Sequence, residues 1–542
     1  MHRMKRFAAA LAALSAALQA PALAAPPRYD DIRTLVVIYA ENRSFDNLYG
    51  TFPGADGLAD APATATTQLD RDGKPLPGLP AIWGGLGYRV PQGAPEAPVA
   101  LTEGQTRRFL GGFNHPYDIA SLYKAAGAAD VDPLRYANRD LHHRFYEHQM
   151  EINGGANNMF AAWSNAGGLT MGYFTPAAAQ AMPLWHWAHD YVLADHFFQG
   201  AFGGSFLNHF YLACACAPYY GHDGVNPYGG VNPSVSAVEP DGVTLVTAWR
   251  SPASALDGPP VFKRSGALTP DFYAVNTMEP PYPPSGKADA SQRTVDLKRA
   301  TTMVPQTETT IGDLLSAAGI GWAWYAGAWD FALSHPPFAA GASEASPNFV
   351  YHHQPFNYFA AFDPATPAGA ANRAAHLLDA GVVTDPAVLP KSRFLSDIRH
   401  GTLPPVAFYK PQGSMDEHAG YAAILDGDRH IAALLSALRA SPQWPHMLVV
   451  VTYDEFGGWW DHVPPPKGDR FGPGTRIPAL IVSPFARKGT VDHTPYDTVS
   501  ILRFITARWH LPVLPGIAAR DAAVSAHGGP KLGDLTGALD LP

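Results

Sequence analysis

The stretch VVVTYDEFGGWWDHVPPP, residues 449–466, drives an apolar run into Asp454, Glu455, Asp461 and His462. Near the other end of the chain, TLVVIYAENRSFDNLYG, residues 34–50, runs an equally apolar stretch into Glu41 and Asn42. Glu41, Asn42, Asp454 and Glu455 together offer three carboxylates and an amide. Hard divalent cations and Zn²⁺ need fixed oxygen or nitrogen donors of this kind. Three carboxylates gathered in a partly buried place repel one another unless a cation joins them. Either pair alone reads more readily as solvated loop acids, because short motifs match often by chance. Both pairs stand at the ends of apolar runs, and Gly457 and Gly458 allow the backbone to come close. That combination points to a metal cage divided between the two ends of the chain.

A second group of residues suits phosphorus chemistry. In FGGSFLNHF, residues 202–210, Ser205 follows two glycines and opens a helical pattern. A hydroxyl at a helix start can attack a phosphorus atom whose oxygens are held by free backbone N–H groups and the helix dipole, and a metal would activate it. The commoner role for such a serine is an N-cap. Histidines can hold phosphate oxygens or protonate a leaving group. There are 22 histidines, so most must be ordinary packing or surface residues. Those in loops flanked by Gly, Pro or acids are the better candidates: His115, His352, His353, His418 and His462, rather than His142 or His143. Asp416, Glu417 and His418 could also ligate a second ion.

The elements that must position these groups follow from periodicity. Strands are expected at Thr34–Ala40, Gly321–Ala326, Val406–Lys410, His446–Tyr453 and Pro478–Val482, and helices at Thr310–Gly319, Asp426–Ser441 and Asp497–His510. Strands alternating with helices imply an α/β chain with a mostly parallel sheet covered on both faces. Functional groups in such sheets collect at the carboxyl ends of the strands. Residues 182–212 read as helix, turn, helix. Residues 55–99 and 217–299 read as long surface excursions, and the tail after Pro512 as loop. For Cys214 and Cys216, the only cysteines, a labile bridge (strained across one residue) and two buried thiols both fit, and the apolar helical pattern of FYLACACAP favours the thiols.

Composition sets the outer limits. The chain is 46% hydrophobic and 16% charged, with 51 Gly and 52 Pro, which fits a globular domain rich in loops. A net charge of −9 without a basic stripe argues against nucleic acid as a partner. Residues 1–25 combine a basic start, an Ala/Leu run and a small-residue exit, the pattern of a cleaved signal peptide. No later apolar run is long enough to span a bilayer. The expectation is one domain over residues 26–542, periplasmic or secreted.

ENRSFDNLYG, GGSFLN, DEHAGY, TYDEFGGWWDHV and VDHTPYDTVSILRF resemble the bacterial phosphoesterase family of acid phosphatases and phospholipases C, in the alkaline-phosphatase-like superfamily. The resemblance runs in order from Thr34 to Trp509. It implies a three-layer α/β/α sandwich with long loop insertions. It implies one divalent ion (Ca²⁺, Mg²⁺, Mn²⁺ or Zn²⁺) held by Glu41, Asn42, Asp454 and Glu455, with Ser205 Oγ completing the shell. Ser205 would be the nucleophile of a phosphoseryl intermediate, with His115, His352, His353 and His418 around the phosphoryl group. Asn208 and His462 are expected at the substrate, although Asp461 and His462 could instead brace their loop. The chain departs from many relatives in having SFLNH where they have Thr and a Pro-Asn-Arg. The implied substrate is a small phosphate monoester; the alternative is a phospholipid diester of the phosphocholine type. Lipases of the family usually carry added C-terminal β domains and a twin-arginine signal. Neither is read here, and Ser in place of Thr also favours the monoester.

Overall fold

The computed structural model describes residues 29–86, 100–129, 131–137, 139–284, 295–334 and 349–541; the expected signal segment lies outside them. Eight strands form the central sheet: β1 (Thr34–Ala40), β2 (Val192–Ala194), β3 (Trp322–Gly327), β4 (Leu377–Gly381), β5 (Val406–Lys410), β6 (Met447–Tyr453), β7 (Ala479–Val482) and β8 (Thr490–Asp492). Their order across the sheet is β8-β2-β7-β6-β1-β5-β3-β4. Within it β7 alone runs antiparallel to its neighbours. β1 and β6 are buried at every position, which is why TLVVIYA and MLVVVTY are continuous apolar runs rather than alternating ones.

The helices that cover the sheet include α1 (Ser205–Cys214), α2 (Arg393–His400), α3 (Ile424–Arg439) and α4 (Thr498–Arg508). On one face, the Tyr39 hydroxyl of β1 donates to the Asn208 carbonyl of α1, and its ring meets His209 edge-on. Trp324 of β3 stacks on its register partner Phe408 of β5 on this same face. On the other face, Tyr409 of β5 reaches His430 of α3 at 2.8 Å, and Tyr325 of β3 donates to Asp397 of α2. Neighbouring residues in a strand point to opposite sides, so helices sit on both faces. The three-layer α/β/α sandwich expected from the resemblance is the architecture observed.

Several expectations need correcting. Residues 182–212 are not helix, turn, helix: a helix at Pro183–Asp190 is followed by β2 and the short strand Phe197–Phe198 before α1 begins. The tail after Pro512 contains α5 (Pro515–Ala526), with Ile517, Arg520 and Val524 turned inward. The cysteines are not thiols. Ala215 takes a left-handed backbone (φ 52°), which turns Cys216 back onto Cys214; the two are disulfide-bonded with Cα atoms 5.2 Å apart. That separation lies in the ordinary range for a bridge.

Candidate functional site

Parallel pairing brings Ala40 of β1 opposite Tyr453 of β6, so the next residues, Glu41 and Asp454, emerge side by side at the carboxyl edge of the sheet. Asn42 has a left-handed backbone (φ 64°), and its N–H donates to Asp454 Oδ1 at 3.1 Å. The N–H of Arg43 bonds the carbonyl of Glu455. Gly457, at φ 65°, closes the turn: a Cβ there would lie 2.2 Å from the Asn42 carbonyl oxygen. Only glycine lets the two halves of the site touch. Trp459 and Trp460 pack beneath the turn, Trp459 under the Arg43 guanidinium and Trp460 donating to the Asn157 carbonyl.

Around this core the histidines divide. His353 Nε2 is 2.7 Å from Glu41 Oε1, and Lys410 Nζ, at the end of β5, is 2.8 Å from the same oxygen. Tyr421 donates to Glu41 Oε2 at 3.0 Å, and His418 Nε2 stands 3.9 Å from it. Donor atoms of Glu41, His352 and His353 lie within 4.8 Å of one another, as do those of Glu41, His209 and Asp454. Asp416 Oδ2 reaches within 4.0 Å of His353, while Glu417 turns away and accepts from Tyr453. His143, not favoured by its sequence surroundings, is a member of the cluster: Nε2 stands 3.7 Å from Glu455 Oε1 and 3.5 Å from the Asn42 amide. His209 and Lys410 were not anticipated at all. His209 lies one turn after Ser205 on α1, a spacing that puts both on one helix face.

Ser205 is not an N-cap. Gly204 holds that position with no side-chain cap bond, so Ser205 is the first residue of α1 and its Oγ makes no capping bond. The Oγ donates instead to Asn42 Oδ1 at 3.4 Å. A cavity of about 890 Å³ opens above it. Its floor carries Ser205, His143, His352, His418 and Tyr421; its outer wall comes from the 217–299 excursion through Asn232, Ser234, Asn276 and Thr277. That excursion was expected at the surface only; it also encloses the site.

Three expected site residues are elsewhere. His115 is exposed, its ring stacked on Phe113 and its Nδ1 against the Pro116 carbonyl, because GGFNHPYD is a surface loop. Asn208 is buried and fastens the loop before α1, accepting from the Ala201 N–H and donating to the Gly204 carbonyl. It holds Ser205 in place rather than facing the cavity. His462 also braces: its ring lies between Asp46 (2.7 Å) and Asp56 (3.0 Å), beside an Arg476–Asp461 ion pair at 2.8 Å.

Electrostatics bear on the metal. Asp454 Oδ2 and Glu455 Oε1 are buried without an aligned hydrogen-bond donor, whereas Glu41 Oε1 has the Lys410 ammonium at 2.8 Å. Burial works against ionising Glu41, but Lys410, then His353 and His418, outweigh it and hold its carboxyl well below the ordinary range. Asp454 and Glu455 go the other way. Burial first, then neighbouring carboxylates, pushes Asp454 up to about 7 and Glu455 well above its usual value. Burial likewise lowers His143, His352, His353 and His418. Lys410 forms its ion pair with Glu41 and reaches Asp454 only through its charge; among the described residues no Lys or Arg side chain forms an ion pair with Asp454 or Glu455, as buried carboxylates would require. An oxygen-rich, partly imidazole donor set with orphaned carboxylate oxygens fits a divalent cation.

The chain is similar to several known proteins. Phospholipase C B of Mycobacterium tuberculosis (strain ATCC 25618 / H37Rv) is 30% identical over 172 residues, 27% of this chain and 32% of its own length. Non-specific phospholipase C3 of Arabidopsis thaliana is 41% identical over 90 residues, 13% of this chain and 17% of its own. The chain thus spans no more than about a third of the length of these curated relatives. Among solved structures, a protein in the alkaline phosphatase superfamily from Vibrio parahaemolyticus aligns with 45% of this chain and 56% of its own, at 14% identity and a TM-score of 0.22. The profile of the Phosphoesterase family matches residues 32–512, from just before β1 to just beyond α4. With that match over most of its length, this chain belongs to the Phosphoesterase family.

Proposed function

We propose that this chain hydrolyses phosphate esters through Ser205, with hydrophilic monoesters preferred. The observation that carries the reading is the placement of Ser205 Oγ. It stands free of capping duty at the start of a ten-residue helix, on the floor of the cavity and against the carboxylate cluster. Phosphoryl transfer asks mainly for positioning and neutralised charge. In the first step Oγ loses its proton and bonds to phosphorus while the bond from phosphorus to the ester oxygen breaks; the leaving oxygen takes a proton. Water then breaks the Oγ–P bond and regenerates the serine. The free N–H groups at the start of α1 face the phosphate oxygens. His143, His352 and His418 line the same floor and can donate N–H groups to those oxygens or a proton to the leaving group. One divalent ion would be held by Glu41, Asn42, Asp454 and Glu455, and His209 is close enough to join them. When bound, it supplies Lewis acidity and charge neutralisation. Burial lowers the cavity histidines, so near neutral pH they meet the phosphate oxygens as neutral imidazoles that donate one N–H each.

The outer wall sets polar groups beside the apolar side chains of Val275 and Met278. Asn232, Ser234, Asn276 and Thr277 offer uncharged hydrogen-bonding groups, and among the described residues Phe206 and Tyr421 are the only Phe, Tyr or Trp side chains lining the cavity. That is too few for the aromatic cage that recognises a quaternary ammonium. A second reading, a phospholipase C acting on lipid diesters, is favoured by the names of the relatives. We also propose export by way of residues 1–25. The Cys214–Cys216 disulfide supports it, since such bonds persist in oxidising compartments.

The test is a side-by-side assay of a chromogenic phosphate monoester and a phosphocholine diester across mildly acidic to mildly alkaline pH. Faster monoester turnover is expected, with a loss on the order of 10³-fold or more in Ser205→Ala. Faster diester turnover would establish the second reading. A near-normal rate in the variant would remove Ser205 as nucleophile.

A further inference from the structure

We infer that Asp195, His196 and His493 form a second metal site, of the zinc type, on the same edge of the sheet but apart from the carboxylate cluster. The fold places it by the same rule as the first site. Asp492 at the end of β8 pairs with Ala194 at the end of β2, so His493 and Asp195 leave two adjacent parallel strands side by side. The two oxygens of Asp195 each face an imidazole: Oδ1 is 2.9 Å from His196 Nδ1, and Oδ2 is 2.8 Å from His493 Nδ1. One donor atom from each of the three residues lies within 4.8 Å of the other two.

The far side of His196 is already occupied. Its Nε2 is 3.2 Å from Asp56 Oδ2, so both ring nitrogens face carboxylates. His196 Nδ1 is in hydrogen-bonding contact with Asp195 Oδ1 at 2.9 Å, and Asp195 Oδ2 also accepts from the Asp56 N–H at 2.7 Å, so a cation would enter by replacing the protons on the two Nδ1 atoms. Asp56 then plays the outer partner that orients a ligating imidazole. Asp195 is fully buried and, among the described residues, no Lys or Arg side chain pairs with its carboxylate. The adjacent group of Asp46, Asp461 and His462 makes the contrast: there the Arg476 guanidinium already sits between the carboxylates, 3.2 Å from Asp46 and 2.8 Å from Asp461. Two imidazoles and a carboxylate leave a position open for water, a donor set that suits Zn²⁺. Binding would displace into solvent the protons held between the Nδ1 atoms and Asp195. His493 is 59% exposed on its side chain, so the ion can enter from solvent and the residue can be changed without disturbing the core.

The test is equilibrium dialysis of the full chain against Zn²⁺, with the metal counted per protein by elemental analysis. His493→Ala is expected to bind one zinc fewer than the wild type, and to lose the zinc-dependent rise in melting temperature due to that site. His115→Ala, which removes an exposed histidine outside the group, should bind as the wild type does. Equal stoichiometry in the wild type and His493→Ala would overturn the inference. A difference of one zinc would uphold it even if the carboxylate cluster bound nothing, so the two metal readings fail separately.

Discussion

The charge on His462 makes a prediction whose size can be worked out. The imidazole touches Asp46 Oδ2 at 2.7 Å and Asp56 Oδ1 at 3.0 Å; Asp461 and Arg476 complete its charged surroundings. Burial opposes protonation, but the hydrogen bond and charge of Asp46, then Asp461, win and raise it from 6.5 to about 9. Moving from 6.5 to about 9 corresponds to about 3 kcal/mol in favour of the folded, protonated state. Asp56 is 33% exposed, so solvent screens part of this, and about 2–3 kcal/mol is the expected size. The folded value lies above the unfolded one. The contribution is therefore complete below about pH 6.5 and is lost as pH rises through about 9. Urea unfolding of the wild type and His462→Gln at intervals from pH 6 to pH 10 isolates it, since groups common to both proteins cancel in the difference. That difference should shrink by about 2–3 kcal/mol across the range. A difference that stays constant with pH would refute the charged-imidazole reasoning.

Other outcomes follow from the same geometry. Asp454→Asn should lower the metal content of the carboxylate cluster, measured in the His493→Ala background so that ions at the outer group do not count; unchanged stoichiometry would sink the cage. Gly457→Ala places a methyl 2.2 Å from the Asn42 carbonyl at a left-handed backbone. It should cost about 2–5 kcal/mol of unfolding free energy and reduce bound metal; a loss below about 1 kcal/mol would show that the turn can relax. Asn208→Ala leaves the cavity floor in place but frees the loop that fixes Ser205. We expect kcat to fall more than KM changes, whereas a pure KM effect would return Asn208 to the substrate.

Glu41, Asn42, Asp454 and Glu455 were legible because a continuous apolar run marks a buried strand, and acids at its end must then stand at the edge of the sheet. The sequence held less information about what crosses the chain. His143 sits in DLHHRF, with no period or turn signal around it, and reaches the cluster only through tertiary packing. His209 did leave a signal, four residues after Ser205 on one helix face. His115 shows the converse: glycines, proline and an acid around a histidine describe any surface loop. β2 and β8 are three residues each, too short for alternation to register, and they are held as strands by their neighbours. Pairing of the cysteines depended on one backbone angle at Ala215, which neighbouring residues do not announce.

The contact between Gly457 and the Asn42 carbonyl joins segments more than 400 positions apart; the bond from the Asn42 N–H to Asp454 spans 412. β1 sits at the centre of the sheet, yet its partners β5 and β6 come late in the chain: the Lys410 bond to the Tyr39 carbonyl spans 371 positions. Closing so long a loop must precede any reward from the contacts it makes. The earliest strand to be synthesised is thus among the last to be locked, and Glu41, Asn42, Asp454 and Glu455 cannot come together before that moment. Capture of the ion proposed for that cluster should then coincide with completion of the sheet, as a single late phase in a refolding time course.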